Sequence, residues 1–293
     1  MLSSAILYAV IEVIGKDSPS ISDVVYINNV GGGCINQTYS IKTNDGKIFV
    51  KTNSASRYPG MFEAEARGLG LLAGAGELAV PKVIGSGSAD GNAFLVLEFI
   101  ESGFKSNDFW ENFGRGLARL HKVKSEYYGL DHDNYIGSLP QANNQTKSWE
   151  EFFVSQRLEP QIKLARQSRL IPTATEQSFS KLFNHLDEFF PKEKPALLHG
   201  DLWGGNYMTG PNGETVIIDP AVYFGHRYMD LGMSKLFGGF SEAFYRFYHD
   251  EFPLEGNWHQ GVEVANLYPL MVHVNLFGSG YLSSVNQTLK RFA

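Results

Sequence analysis

Apolar positions follow two rhythms along this chain, and the change of rhythm divides it. Near the start, Leu2, Ile6, Val10 and Val13 recur at helical spacing and predict an amphipathic helix. Stretches at 24–30, 37–42 and 47–52 read as strands, with Asp45-Gly46 turning the chain between the last two. A loop rich in Ser, Arg and Pro over 53–60 leads to Phe62, Ala66, Leu69 and Leu72, one face of a helix over 61–73. Glu65 lies one turn before Leu69 and so points inward with that face. Two more strands, 81–84 and 93–98, flank the turn Ala89-Asp90-Gly91-Asn92.

Beyond Ser106 the period is mostly helical. Phe109, Phe113, Leu117 and Leu120 form one stripe ending at His121. Trp149, Phe152, Phe153 and Ile162 form another, past a polar loop over 141–147, and Trp149 and Arg157 read as architecture. Phe179, Leu182, Phe183 and Leu186 predict a further helix, after which Pro191 and Pro195 break the chain. The uncharged stretch 264–289 reads as a buried helix followed by a loop, since Pro269 and His273 are poorly suited to a membrane span. The pattern is α+β: a small sheet-rich lobe over 1–98, a hinge at 99–104, and a larger, mostly helical lobe over 105–293.

Composition narrows the partners. A chain of 293 residues, 43% hydrophobic, can build two cores. A formal net charge of -6 without a run of Lys or Arg argues against a nucleic-acid partner. The single cysteine rules out an intrachain disulfide or a thiolate-rich zinc site and suits a reducing cytoplasm. Residues 5–11 are apolar apart from Tyr8, but no basic residue precedes them and Glu12 follows, so a packed helix is expected there rather than a signal peptide.

The chemistry concentrates in His199-Gly200-Asp201-Leu202-Trp203-Gly204-Gly205-Asn206 and in Ile217-Ile218-Asp219-Pro220. An Asp and an Asn separated by four residues, then an Asp ending a β-branched run, is the pattern of ATP-dependent phosphoryl transfer to a hydroxyl. Asp201 takes the place of the catalytic base, while Asn206 and Asp219 offer the hard oxygens that magnesium prefers. Pro211-Asn212-Gly213 predicts a hairpin that brings Asn206 and Asp219 together. His199 is expected to orient the loop by hydrogen bonding. Lys51, in the strand Ile48-Phe49-Val50-Lys51, is the candidate phosphate contact, with Glu65 as its favoured anionic partner and Glu63 as the other. Gly31, Gly32 and Gly33 form a loop whose amides can approach phosphates, or else a plain hairpin turn. Cys34 follows them, either as an inert apolar residue or as a thiol whose pKa those amides lower. Trp203 offers a flat face for a sugar or an ammonium, a core tryptophan being the other reading.

As a set, these pieces resemble the fructosamine kinase (ketosamine 3-kinase) family, within the aminoglycoside phosphotransferase and protein-kinase-like group. Further segments carrying the resemblance are Met61-Phe62-Glu63-Ala64-Glu65, Leu117-Ala118-Arg119-Leu120-His121, Gly225-His226-Arg227 and Leu236-Phe237-Gly238-Gly239-Phe240. The resemblance implies a two-lobed kinase-like fold, use of ATP and Mg2+, and adenine held by the backbone at Glu98, Phe99 and Ile100. It also implies a monomer that oxidation at Cys34 could pair into a homodimer. The implied substrates are ketosamines, free or protein-bound, phosphorylated at the sugar O3 in a deglycation repair activity; Trp203 and His226 are the implied substrate contacts. His226, Arg227 and Asp230 have a structural reading as well, in support of the catalytic loop. Two rival functions remain at this point: a kinase for another small alcohol, such as an aminoglycoside or aminoalcohol, and a catalytically silent nucleotide-binding protein.

Overall fold

The computed structural model describes residues 2–15, 24–31, 35–44 and 46–293. Gly32, Gly33 and Cys34 of the expected phosphate loop lie outside the described residues, as does Asp45. The chain forms two compact units, Met1–Ser106 with Met208–Ile218, and Asn107–Tyr207 with Asp219–Ala293.

The first unit opens with helix α1 (Ser4–Ile14), capped by the Ser3 hydroxyl, which accepts from the Ile6 amide. It continues through strands β1 (Val24–Asn29), β2 (Gln37–Thr43) and β3 (Gly46–Ser54), helix α2 (Met61–Ala75), and strands β4 (Val83–Ala89) and β5 (Asn92–Glu98). The strands make one antiparallel sheet in the order β1-β2-β3-β5-β4. Strand periodicity sends alternate residues to opposite faces. Ile48 and Val50 of β3 and Phe94 and Val96 of β5 therefore pack with Ile6 and Val10 of α1. Ala93, Leu95 and Leu97 face the other way, toward Phe62 and Leu69 of α2. Burial on both faces explains why β5 is apolar without alternation. The same parity puts Lys51 on the α2 side.

Strand β4 departs from expectation, running through Gly85-Ser86-Gly87-Ser88 where the composition reads as loop. Pairing with β5 outweighs the weak strand preference of these residues. A Cβ on Gly85 would sit 2.4 Å from Cγ1 of Val13, so the glycine lets α1 lie close on the strand. The excursion Met208–Ile218, which a linear partition assigns to the second lobe, belongs to the first unit: the Ile217 amide donates to Ala79 O at 2.9 Å, and the Gly103 amide to Thr209 O at 3.0 Å.

The second unit is mostly helical. Helix α3 (Phe109–Leu120) buries the stripe Phe109, Phe113, Leu117 and Leu120, and the Phe113 ring meets those of Tyr207, Phe240 and Phe244. The second stripe starts as expected at Trp149, then passes through a π-helical turn, Phe153–Leu158, into helix Glu159–Gln167. The wider turn slips the helix phase, so Gln161 and Ala165 are buried in place of Ile162. The expected polar loop at 141–147 is not a solvated one: Gln141, Asn143 and Thr146 are buried, beside a short hairpin of Asn134–Ile136 and Leu139–Gln141. At the C-terminus the loop expected after the buried helix Leu267–Phe277 is a further helix, Leu282–Phe292, which buries Val285, Leu289 and Phe292 on one side. No helix among the described residues is long and apolar enough to cross a membrane.

Candidate active site

Two short strands in the second unit position the catalytic stretch. Ala196–Leu198 runs antiparallel to Tyr223–Gly225, with Leu198 opposite Tyr223. His199 thus begins where one strand ends, and Asp219 lies four residues before the other begins. The Ala221 amide donates to His199 O at 2.9 Å and ties the two segments together. Gly200 makes the close approach possible: its φ is +83°, and a Cβ there would fall 2.0 Å from Ala221 O.

This brings Asp201, Asn206 and Asp219 to one place. The Asn206 side-chain nitrogen donates to Asp201 Oδ2 and to Asp201 O, both at 2.9 Å, and to Asp219 O at 3.4 Å. Its NH2 is thereby committed to the loop, and its carbonyl oxygen is the end suited to a cation. Burial pushes the Asp201 carboxyl up to about 7; the Asn206 hydrogen bond opposes the rise, and the charges of Asp219 and Asp230 add to it. Asp219 holds a left-handed backbone, φ +54°, which a non-glycine residue adopts only when its surroundings compel it. Among the described residues no group of three or more His, Cys, Asp and Glu could hold a metal ion. The donor set fits magnesium all the same. One amide oxygen and one carboxylate form the small protein share that this ion takes when phosphates and water complete its shell.

The loop is fixed from beneath by Asp230, a buried residue of helix Tyr228–Leu236. Its carboxylate accepts from the His199 amide at 2.8 Å, the Gly200 amide at 2.9 Å and His121 Nε2 at 3.2 Å. Burial alone would raise the Asp230 pKa, but the hydrogen bonds and charge of His121, with the backbone bond from Gly200, bring it below the usual carboxylate range. The other nitrogen of His121 lies 2.7 Å from Tyr248 Oη. His199 is fully buried, and its Nδ1 accepts from the Asp201 amide at 3.2 Å, an orienting contact. Sequence reasoning assigned no role to His121, yet a histidine closing an apolar helical stripe was its visible signal.

Of the two readings of His226, its surroundings favour the structural one over the substrate contact. His226 is buried, with Nε2 donating to Pro191 O at 3.1 Å and Nδ1 accepting from the Tyr228 amide at 3.2 Å. Burial drives its imidazole down to about 3, so it is a neutral core residue with both nitrogens engaged. Arg227 is likewise internal, bonded to Glu193 Oε1 and to the carbonyls of Phe252 and Pro253. Trp203, by contrast, is 39% exposed, and its ring meets Phe237 edge-on at 6.4 Å.

In the first unit, Lys51 Nζ donates to Glu65 Oε1 at 2.6 Å, with both side chains largely buried, while Glu63 is exposed. Period 2 in β3 and period 3.6 in α2 each turn one member inward. Glu65→Gln leaves a buried ammonium facing a neutral amide and is expected to cost about 2 kcal/mol in urea unfolding. An unchanged midpoint would show the pair to be dispensable for stability. Gly31 borders the undescribed loop. Glu98, Phe99 and Ile100 follow the end of β5; the Glu98 side chain accepts from the Lys82 amide at 3.2 Å, and the Lys47 ammonium lies 3.7 Å from the Phe99 ring centroid.

Comparison with known proteins finds similar chains and similar folds. The family model described as "Fructosamine kinase" matches residues 8–293. A "Probable ketoamine kinase" of Synechocystis sp. is 42% identical over 264 residues, covering 90% of this chain and 88% of that protein. A chloroplastic protein-ribulosamine 3-kinase of Arabidopsis thaliana is 40% identical over 268 residues, 90% of this chain and 81% of its own. A solved structure from Haemophilus somnus, assigned as a fructosamine-3-kinase, superposes with a TM-score of 0.88 at 27% identity, covering 97% of this chain and 96% of that one. At 15% identity, an aminoglycoside phosphotransferase assignment from Ralstonia eutropha shares the fold alone, with a TM-score of 0.62 over 98% of this chain and 99% of the other.

Proposed function

The chain belongs to the fructosamine kinase family, and on that premise we propose that it transfers the terminal phosphate of ATP to the sugar O3 of a ketosamine, a fructosamine or ribulosamine carried on an amine or a protein lysine. The observation that carries the reading is the convergence of Asp201, Asn206 and Asp219 within a single hydrogen-bonded loop.

In this reading each side chain has a separate task. Asn206 grips one oxygen of Asp201, and the other oxygen receives the proton of the attacking hydroxyl. Asp230 and His199 hold the loop so that the carboxylate meets the hydroxyl without searching for its orientation. Asn206 Oδ1 and the Asp219 carboxylate would hold Mg2+. That ion, when bound, supplies stabilisation of the charge on the transferring phosphate. Lys51, steadied by Glu65, contacts the nucleotide phosphates, and the backbone of Glu98, Phe99 and Ile100 receives adenine. Gly31, Gly32, Gly33 and Cys34 are assigned to the phosphates from the sequence, the last three lying outside the described residues. Trp203 stacks against the sugar or its amine.

The phosphate at O3 is a good leaving group, so the phosphorylated sugar breaks down and frees the amine, a repair of glycated amines. The decisive measurement is ATP consumption and phosphorylation of ribulosyl-lysine and fructosyl-lysine by the purified protein with magnesium. Transfer to O3 is expected; nucleotide binding without transfer to either acceptor would end the assignment. In the same assay, Trp203→Ala is expected to raise the acceptor KM about tenfold, the value of one lost stacking or cation–π contact, with the ATP KM unchanged. An unchanged acceptor KM would remove Trp203 from the site.

A further inference from the structure

Asp219 presents a problem that its own segment does not solve. Its left-handed backbone is unfavourable for a residue with a Cβ, and Pro220 narrows the choices of the residue before it. Such a conformation lasts only where neighbours over-determine it. Beside the bonds this segment makes with His199 and Asn206, it is reached by the hairpin Asn134–Ile136/Leu139–Gln141, where Asn134 and Gln141 stand opposite each other. Asn134 Nδ2 donates to Val222 O at 2.8 Å, and Gln141 Nε2 donates to Ala221 O at 3.3 Å. The two side chains are joined, since Gln141 Nε2 also donates to Asn134 Oδ1 at 2.8 Å.

The pair is anchored at both ends. Tyr268 Oη donates to Gln141 Oε1 at 2.6 Å. Asn143 Nδ2 donates to Asn134 Oδ1 at 3.0 Å, and Arg157 Nη2 donates to Asn143 Oδ1 at 2.7 Å. Arg157 comes from the π-helical turn, and its guanidinium lies 3.9 Å from the centroid of the Tyr223 ring. That ring is itself next to Gly200, where a Cβ would approach it to 3.3 Å. Arg157 is completely buried, and no ion pair joins it to a carboxylate among the described residues. A buried cation held only by carbonyls and ring faces is a poor device for stability, because its desolvation is not offset by an opposite charge. Its value lies in fixing geometry.

We propose that Asn134 and Gln141, anchored by Arg157 through Asn143 and by Tyr268, form a clamp on the Ala221 and Val222 carbonyls that holds Asp219 in its productive backbone conformation. These are positioning residues, and the proposal rests on the reading of Asp219 as a metal-holding residue of the kinase. The double variant Gln141→Met/Tyr268→Phe removes the bond to Ala221 together with its partner, so that no donor is orphaned by the change. Hydrogen–deuterium exchange on the full chain without ligand is expected to be at least tenfold faster at the Ala221 and Val222 amides in the variant. Its kcat with ATP, magnesium and ribulosyl-lysine is expected to fall about 30-fold, with the acceptor KM within threefold of the parent. Unchanged exchange overturns the clamp, and faster exchange with unchanged kcat overturns its positioning role. If the double variant does not fold cooperatively, Tyr268→Phe alone is measured: faster exchange at the same two amides supports the clamp and unchanged exchange overturns it. The exchange arm needs no turnover, so a parent protein that phosphorylates no ketosamine fails the kinase reading while the clamp is still judged.

Discussion

Asp201→Asn is expected to lose activity and gain stability at the same time. In the proposed role of Asp201 as base, its removal costs about 10²–10⁴-fold in kcat, since the amide cannot take the hydroxyl proton. The stability effect has a definite sign. The folded-state pKa of Asp201 is raised from 3.8 to about 7, so the ionised form is disfavoured in the fold. The penalty is absent below pH 4, grows as pH rises through the interval between the two values, and is complete above about pH 7. Three pKa units correspond to about 4 kcal/mol, and the partial exposure of the side chain and the lost contact with Asn206 reduce this to about 2 kcal/mol. Thermal unfolding in chelator-containing buffer should therefore show the variant close to the parent at pH 4 and more stable than it at pH 8. Equal melting temperatures at pH 8 would mean that the carboxylate is not strained by its neighbours.

Gly200→Ala carries the largest structural effect. The new methyl would meet Ala221 O at 2.0 Å, and the residue would have to keep φ at +83°. Neither the carbonyl nor the backbone of Ala221 can withdraw without disturbing the strand pair that sets the loop. The expected loss is about 3–5 kcal/mol, in the upper tail of single substitutions. Whatever fraction folds should turn over at least about 100-fold more slowly, since a displacement near 1 Å at the reacting group has that effect. Gly74→Ala is the matched control: that glycine sits in α2 with nothing within 4 Å of the added Cβ. It should raise stability by about 0.5–1 kcal/mol through helix propensity alone. A Gly200 variant as stable and active as the Gly74 variant would show that the close approach has no consequence.

Local pattern made some parts of this molecule readable and left others dark. Ile6 and Val10, Phe62 and Leu69, and Phe109 through Leu120 each announce a helix face, because burial of one face imposes the 3.6-residue period directly on the chain. The Lys51–Glu65 pair was readable for a related reason, since parity in the strand and phase in the helix each turn one member inward. The π-helical turn at Phe153–Leu158 was not, because one added residue per turn shifts the phase without any residue type marking it. A strand was expected at 81–84, but the run of β4 through to Ala89 was hidden by its Gly-Ser composition, and the two readings of His226 stayed open because a polar side chain near the site looks the same in sequence whether it faces substrate or core.

The residue types alone determined which groups this chain can offer, because an Asp, an Asn and a second Asp are a proton acceptor and hard oxygen donors in whatever fold they occupy. Only the tertiary structure decided how they are held. The bonds from the His199 and Gly200 amides to Asp230, from the Ala221 amide to His199, and from Asn134 and Gln141 to the segment after Asp219 all join residues distant in sequence. Such pairings follow from the packing of the whole unit, and no local period records them.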